Sequence, residues 1–116
     1  ISGNGKQVRD IAYVSDIIDI YLKAPTKIDS IKGHAFNVGG GMDNSSSLLE
    51  LFSFLESELD IRIKYLQLPV RQSDQRVFVA DLTKSKELIG WGVEVSKEVG
   101  IRKMIKWVNS RNEKTN

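Results

Sequence analysis

The stretch "LPVRQSDQRVFVADLTKSKELIGW", residues 68–91, sets three signals in a row. Pro69 and the polar run Arg71, Gln72, Ser73, Asp74, Gln75 and Arg76 read as a loop. The apolar run "VFVA" (77–80) then reads as a short strand. Asp81 is suited to cap a following helix, and Gly90 suits the left-handed position where that helix ends. A strand that feeds directly into a capped helix is the unit of an α/β or mixed α+β fold, provided that the pattern recurs.

It does recur. "KQVRDIAYV" (6–14) reads as a strand after a turn at Gly3 and Gly5, and Ser15 is placed to cap a helix with Ile17, Ile18, Tyr21 and Leu22 at helical spacing, stopped by Pro25. "HAFNV" (34–38) reads as a strand that ends in Gly39, Gly40 and Gly41. Ser47 and Glu50 form the S-x-x-E capping box of the clearest helix, with Leu48, Phe52, Leu55 and Leu59 on one face. "IRIKY" (61–65) alternates apolar and cationic residues, as a half-buried strand does. Ser96 is placed to begin a last helix with Ile101, Ile105 and Val108 on one face, and "NSRNEKTN" (109–116) reads as a polar tail expected to fray. Four short strands predict a small sheet, in one domain over residues 1–108 with a tail over 109–116.

Composition narrows the function. The 116 residues carry 17 basic and 15 acidic side chains, a formal net charge of +2, and this near balance argues against nucleic acid or a membrane surface as partner. There is no cysteine, hence no disulfide, thiolate metal site or thiol nucleophile, and a reducing compartment is compatible. No apolar run approaches the roughly 18 residues of a membrane span. The start at Ile1, without methionine or a signal-peptide pattern, reads as a cut end, so the chain is expected to be a domain of a larger protein.

Few residues carry chemistry. No G-x-G-x-x-G follows the first strand, so there is no dinucleotide fingerprint, and Gly39, Gly40 and Gly41 lack the spacing and the lysine of a P-loop. They read as a turn needed for packing in preference to a ligand contact. His34 is the single histidine, which excludes a multi-histidine metal site. Asp16, Asp19, Glu56 and Glu58 read as solvated helix faces. Two clusters stand out: Arg9 with Asp10, inside an otherwise apolar strand, and Arg71 with Asp74 and Gln75 in the loop. Arginine offers a planar fork for phosphate oxygens, and an aspartate accepts hydrogen bonds from a vicinal diol such as ribose. From chemistry alone, exposed ion pairs are the simpler reading, and a two-arginine diphosphate clamp is the alternative.

"GNGKQVRDIAYVSDIIDIYLKA" (3–24), "GHAFNVGGGMDNSSSLLELFSFLE" (33–56) and the block from Leu68 to Val108 follow the order of the C-terminal landmarks of the extended short-chain dehydrogenase/reductases, the NAD-dependent epimerase/dehydratase family. The chain resembles that family from Gly3 to about Val108, and within it the subgroup acting on CDP-sugars. The resemblance implies the small substrate-binding lobe of a Rossmann-type NAD(P) epimerase, with the Rossmann dinucleotide half absent. It implies that Arg9 and Arg71 meet the nucleotide diphosphate, that Asp74 holds the ribose hydroxyls with Gln75 beside it, and that Gln7 approaches base or phosphate. Asn37 and Gly39 match a structural motif, and Asp16 and Asp81 are helix-start residues.

The catalytic Y-x-x-x-K of the family has no counterpart, because Ile17, Pro25 and Pro69 stand four residues after Tyr13, Tyr21 and Tyr65. The resemblance therefore implies no catalytic, cofactor-binding or metal-binding residue in this chain, with NAD held by the missing N-terminal Rossmann domain of a cytoplasmic parent isomerase that serves surface-polysaccharide synthesis. The expected ligand is a nucleotide-diphosphate sugar, CDP-sugar favoured. The fragment alone is expected to be inactive and to self-associate through the face the missing domain covered. The alternatives are another NAD-dependent 4-epimerase, dehydratase or decarboxylase, or a non-catalytic binding or interaction domain.

Overall fold

Sheet pairing begins at β1 (Val8–Asp10), the middle strand of three in the order β2-β1-β3. The structure, a computed structural model, describes residues 1–113. β2 (Ser45–Ser47) runs antiparallel to β1, with Val8 opposite Ser47 and Asp10 opposite Ser45. β3 (Val77–Phe78) runs parallel to it on the other side, with Arg9 opposite Phe78. The strands are shorter than the sequence suggests, and β2 was read there only as the approach to a helix cap.

Two expected strands do not form. Residues 34–38 form no strand and lie outside the sheet, both edges of β1 being already taken. Their carbonyls are met by side chains instead: Ser85 Oγ donates to Asn37 O at 2.8 Å and Lys84 Nζ to Ala35 O at 3.0 Å. Residues 61–65 are tied back to the preceding helix, Ile63 N donating to Glu56 Oε1 at 2.8 Å. Alternation of side chains is a property of any extended segment, so it marks a strand only where a partner edge is free.

The helices follow the expected order. They are α1 (Val14–Thr26), the short α2 (Ile28–Ile31), α3 (Leu48–Leu59), α4 (Thr83–Ile89) and α5 (Lys97–Glu113). Ser47 and Glu50 form both bonds of the capping box, and Gly90 closes α4 at φ 75°. Ser15 is not the cap of α1, which begins at Val14 behind Tyr13, two residues earlier than a Ser15 cap would place it, and runs one residue past Pro25. Asp81 Oδ1 accepts from Thr83 N at 2.9 Å, the helix-start role expected of it. α5 continues through residues 109–113, where a fraying tail was expected; Ser110 Oγ returns a bond to Trp107 O and Arg111 lies over the Trp107 ring. Residues 114–116 of that expected tail lie outside the described residues.

The core gathers Ile20, Ile31, Ile89 and the fully buried Trp91, with Ala24, Phe36, Leu82 and Val93 against them. It lies between α1, α2 and α4, away from the cleft beside the sheet. The buried face of α1 is therefore Asp16 and Ile20, whereas Ile18, Tyr21 and Leu22 of the expected face point to solvent. Asp16 is no solvated carboxylate. It is 4% exposed, its Oδ2 accepts from Val95 N at 3.1 Å, and its carbonyl accepts from Trp91 Nε1 at 2.7 Å. Burial of a carboxylate is tolerated because backbone donors replace water.

Candidate functional site

β1 is the spine of the site. Its successive side chains leave opposite faces of the sheet, and they do different work. Asp10 Oδ2 accepts from Gly41 N at 2.9 Å and from Ala80 N at 3.1 Å, so this carboxylate fastens the glycine turn and the end of β3 to the central strand. Arg9 turns to the other side, where its Nη2 meets Asp74 Oδ1 at 3.3 Å and its Nη1 donates to Val8 O at 2.7 Å. The ion pair expected between neighbours Arg9 and Asp10 does not exist; each has a partner far along the chain.

The glycine turn explains why Asp10 can reach so far. A Cβ on Gly39 would collide with Asp10 and Ala80, and one on Gly40 with the Ile11 carbonyl. Buried Asn44 completes the turn, donating through Nδ2 to Gly40 O and accepting from Lys97 N at 2.7 Å through Oδ1. The close approach made possible by these glycines is therefore to the protein's own groups. They do not fit a dinucleotide cradle, and the packing role read from the sequence is the one observed.

The loop before β3 supplies the opposing wall. Asp74 N donates to Arg71 O at 3.3 Å, Ser73 adopts φ 64°, and Val8 N donates to Arg76 O at 2.9 Å. This turn sets Arg71 and Asp74 beside β1. The result is a cleft of about 420 Å³ lined by Gln7, Arg9, Ser46, Leu51, Arg71 and Asp74. A second cleft of about 550 Å³ shares Gln7 and Asp74 with it and adds Lys6, Gln67, Gln75 and Arg76. The expected substrate-binding residues Gln7, Arg9, Arg71, Asp74 and Gln75 thus each line one or both clefts, whereas Asp10 lines neither. Ser46 and Leu51 were not singled out; the available signal was the serine run whose first turn of helix follows it.

Charge in the first cleft is uneven. Arg9 and Asp74 pair with side chains 41% and 26% exposed, while among the described residues the Arg71 guanidinium makes no ion pair or hydrogen bond. Gln7 Nε2 donates to Ser2 O at 3.1 Å. The cleft thus offers one unengaged planar cation and a second cation already paired with a carboxylate. That set suits an anion carried on a group rich in hydroxyls. Nearby, Glu50 is held below the usual glutamate range by the Ser47 backbone N–H and then by its hydroxyl.

Other polar groups are structural. Glu58 meets Arg102 through two bonds, at 2.8 and 2.7 Å, which hold its carboxyl below the ordinary range. Asp19 pairs with Lys23 at 2.7 Å, and Lys103 Nζ lies 5.0 Å over the Tyr13 ring. Among the described residues there is no group of three or more His, Asp or Glu placed to hold a metal ion, and no helix is long and apolar enough to cross a membrane.

Comparison with known proteins agrees with this architecture. Residues 1–39 match the NAD dependent epimerase/dehydratase family. Over 110 residues it is 50% identical to CDP-paratose 2-epimerase of Salmonella typhi, an alignment covering 95% of this chain and 32% of that protein. The crystal structure of UDP-glucose 4-epimerase from Thermotoga maritima with UDP-glucose matches at a TM-score of 0.80 and 28% identity, over 96% of this chain and 34% of that one. UDP-glucuronic acid 4-epimerase from Bacillus cereus, in complex with UDP-glucuronic acid and NAD, matches at 0.80 and 27% identity, over 88% and 32%. The chain spans about a third of the length of these relatives.

Proposed function

We propose that the chain is the nucleotide-gripping lobe of an NAD-dependent nucleotide-sugar epimerase acting on a CDP-sugar, with residues 1–108 as the substrate domain. The observation that carries the reading is the convergence of Arg9, Arg71 and Asp74 on one cleft, in a chain half identical to a CDP-sugar epimerase. Arg9 and Arg71 meet the diphosphate, Asp74 takes the ribose hydroxyls, and Gln75 and Gln7 line the approach to the base. None of these groups makes or breaks a bond. They hold the non-reacting end of the substrate and so fix the sugar in place, which lowers the barrier by orientation.

On this reading NAD, the redox chemistry and its tyrosine base belong to the Rossmann part of a longer, cytoplasmic protein. A UDP-sugar is the second reading, favoured by the UDP-sugars bound in two structural relatives. Calorimetric titration with CDP, UDP and ADP separates them. CDP is expected to bind tightest, and Arg71→Ala to weaken it by about 1.5 to 3 kcal/mol, the scale of a charge-assisted hydrogen bond. Equal affinity for all three, unmoved by Arg71→Ala, would overturn the clamp.

A further inference from the structure

The Arg9–Asp74 pair is an obstacle as well as a scaffold. An anion that takes Arg9 Nη2 competes with the Asp74 carboxylate 3.3 Å from it, and one that takes another nitrogen of the same guanidinium still lies beside that carboxylate. Arg71 carries no such partner among the described residues. We propose that Asp74 is a specificity-determining residue that screens Arg9 from bare phosphates, so that the cleft admits a diphosphate only when it arrives with a vicinal diol. This rests on the nucleotide reading above and adds a rule of selection to it.

The argument follows the fate of the carboxylate. A bare pyrophosphate that takes Arg9 leaves Asp74 beside a new anion with no compensating donor, so like-charge repulsion opposes its binding. A nucleoside diphosphate displaces the same pair but brings two hydroxyl donors, which the released carboxylate accepts. Asp74 is placed for this exchange because it lines both clefts, the arginine-bearing one and the polar one beside it. Its half-buried position, 26% exposed, keeps water from replacing either partner fully. Recognition of the two halves of the ligand is thereby coupled through one side chain.

The test is titration of the full-length protein and its Asp74→Asn and Asp74→Ala variants with sodium pyrophosphate and with CDP, and Arg71→Ala is the control. Asp74→Asn is isosteric and keeps the turn. Removing a part-exposed pair and a like charge is expected to tighten pyrophosphate about three- to tenfold. The same change is expected to weaken CDP about tenfold or more, through lost charged hydrogen bonds to the diol. The two ligands thus move in opposite directions, whereas Arg71→Ala weakens both. Pyrophosphate binding that is unchanged or weaker in both Asp74 variants, while CDP still binds the wild type, would overturn the screening role alone. If the wild type binds no CDP, the nucleotide reading falls and the screening role with it.

Discussion

Asp10→Asn keeps the shape of the side chain and removes its charge. Both backbone donors reach the same oxygen, Oδ2, from Gly41 N at 2.9 Å and Ala80 N at 3.1 Å, and the amide oxygen of asparagine can stand in its place. A hydrogen bond to a charged acceptor contributes about 1.5 to 3 kcal/mol and a neutral one about 1. Two such bonds from a half-buried carboxylate sum to about 3 kcal/mol, of which Asp10→Asn, keeping two neutral bonds, should forfeit about 1 kcal/mol. Asp10→Ala should forfeit the whole and strand two N–H groups, against a total stability of about 5 to 15 kcal/mol for a domain of this size. With a urea slope of about 2 kcal/mol per molar, the midpoint should fall by about 0.5 M for Asp10→Asn and about 1.5 M for Asp10→Ala. Urea titration followed by circular dichroism gives the shift, and amide hydrogen exchange at Gly41 and Ala80 locates it. Midpoints within about 0.2 M of wild type, with both amides still protected, would refute the claim that this carboxylate fastens the turn to the sheet.

Gly40→Ala places a methyl against the Ile11 carbonyl, so it should cost about 1 to 3 kcal/mol as overpacking against backbone; Gly92→Ala, with open space around it, is the control, and equal melting temperatures would contradict the contact. Glu58 is depressed by Arg102, so its folded value lies below its unfolded value near 4.5. The stabilisation is thus present above about that pH and lost as pH falls through the depressed value; melting temperatures measured down the acid limb should fall less steeply for Glu58→Gln. Ile18, Tyr21 and Leu22, respectively 52%, 74% and 68% exposed on α1, should make the isolated chain self-associate; a constant monomer mass by light scattering across concentration would show that this face is simply wetted.

The helices were legible because their ends are written locally: Ser47 with Glu50 and Gly90 act within one turn of chain, and each was found where the sequence placed it. The sheet was less legible, since pairing depends on which edge is free. That is why the alternation in residues 61–65 misled and the small, unpatterned β2 went unnoticed. The buried face of α1 was misread for a related reason. Four apolar side chains suggested one stripe, whereas the packing selects Ile20 and the hydrogen-bonded Asp16, whose partners at Trp91, Glu94 and Val95 lie some 75 residues away or more. For the cleft, residue type pointed to Arg9, Arg71 and Asp74, but no local pattern could reveal that Arg9 and Asp74 hold each other.

Arg9 and Asp10 are neighbours with opposite assignments, and the pleat of three residues keeps them apart. A slip of β1 by one position, or a single deletion between Gly5 and Val8, would exchange their faces. The carboxylate would then stand in the cleft proposed to take an anion, and the guanidinium would meet the amides of Gly41 and Ala80, both of which need an acceptor. Scaffold and recognition would fail together at one indivisible position, so the length of the short segment ahead of β1 is under as strict a constraint as the identity of either side chain.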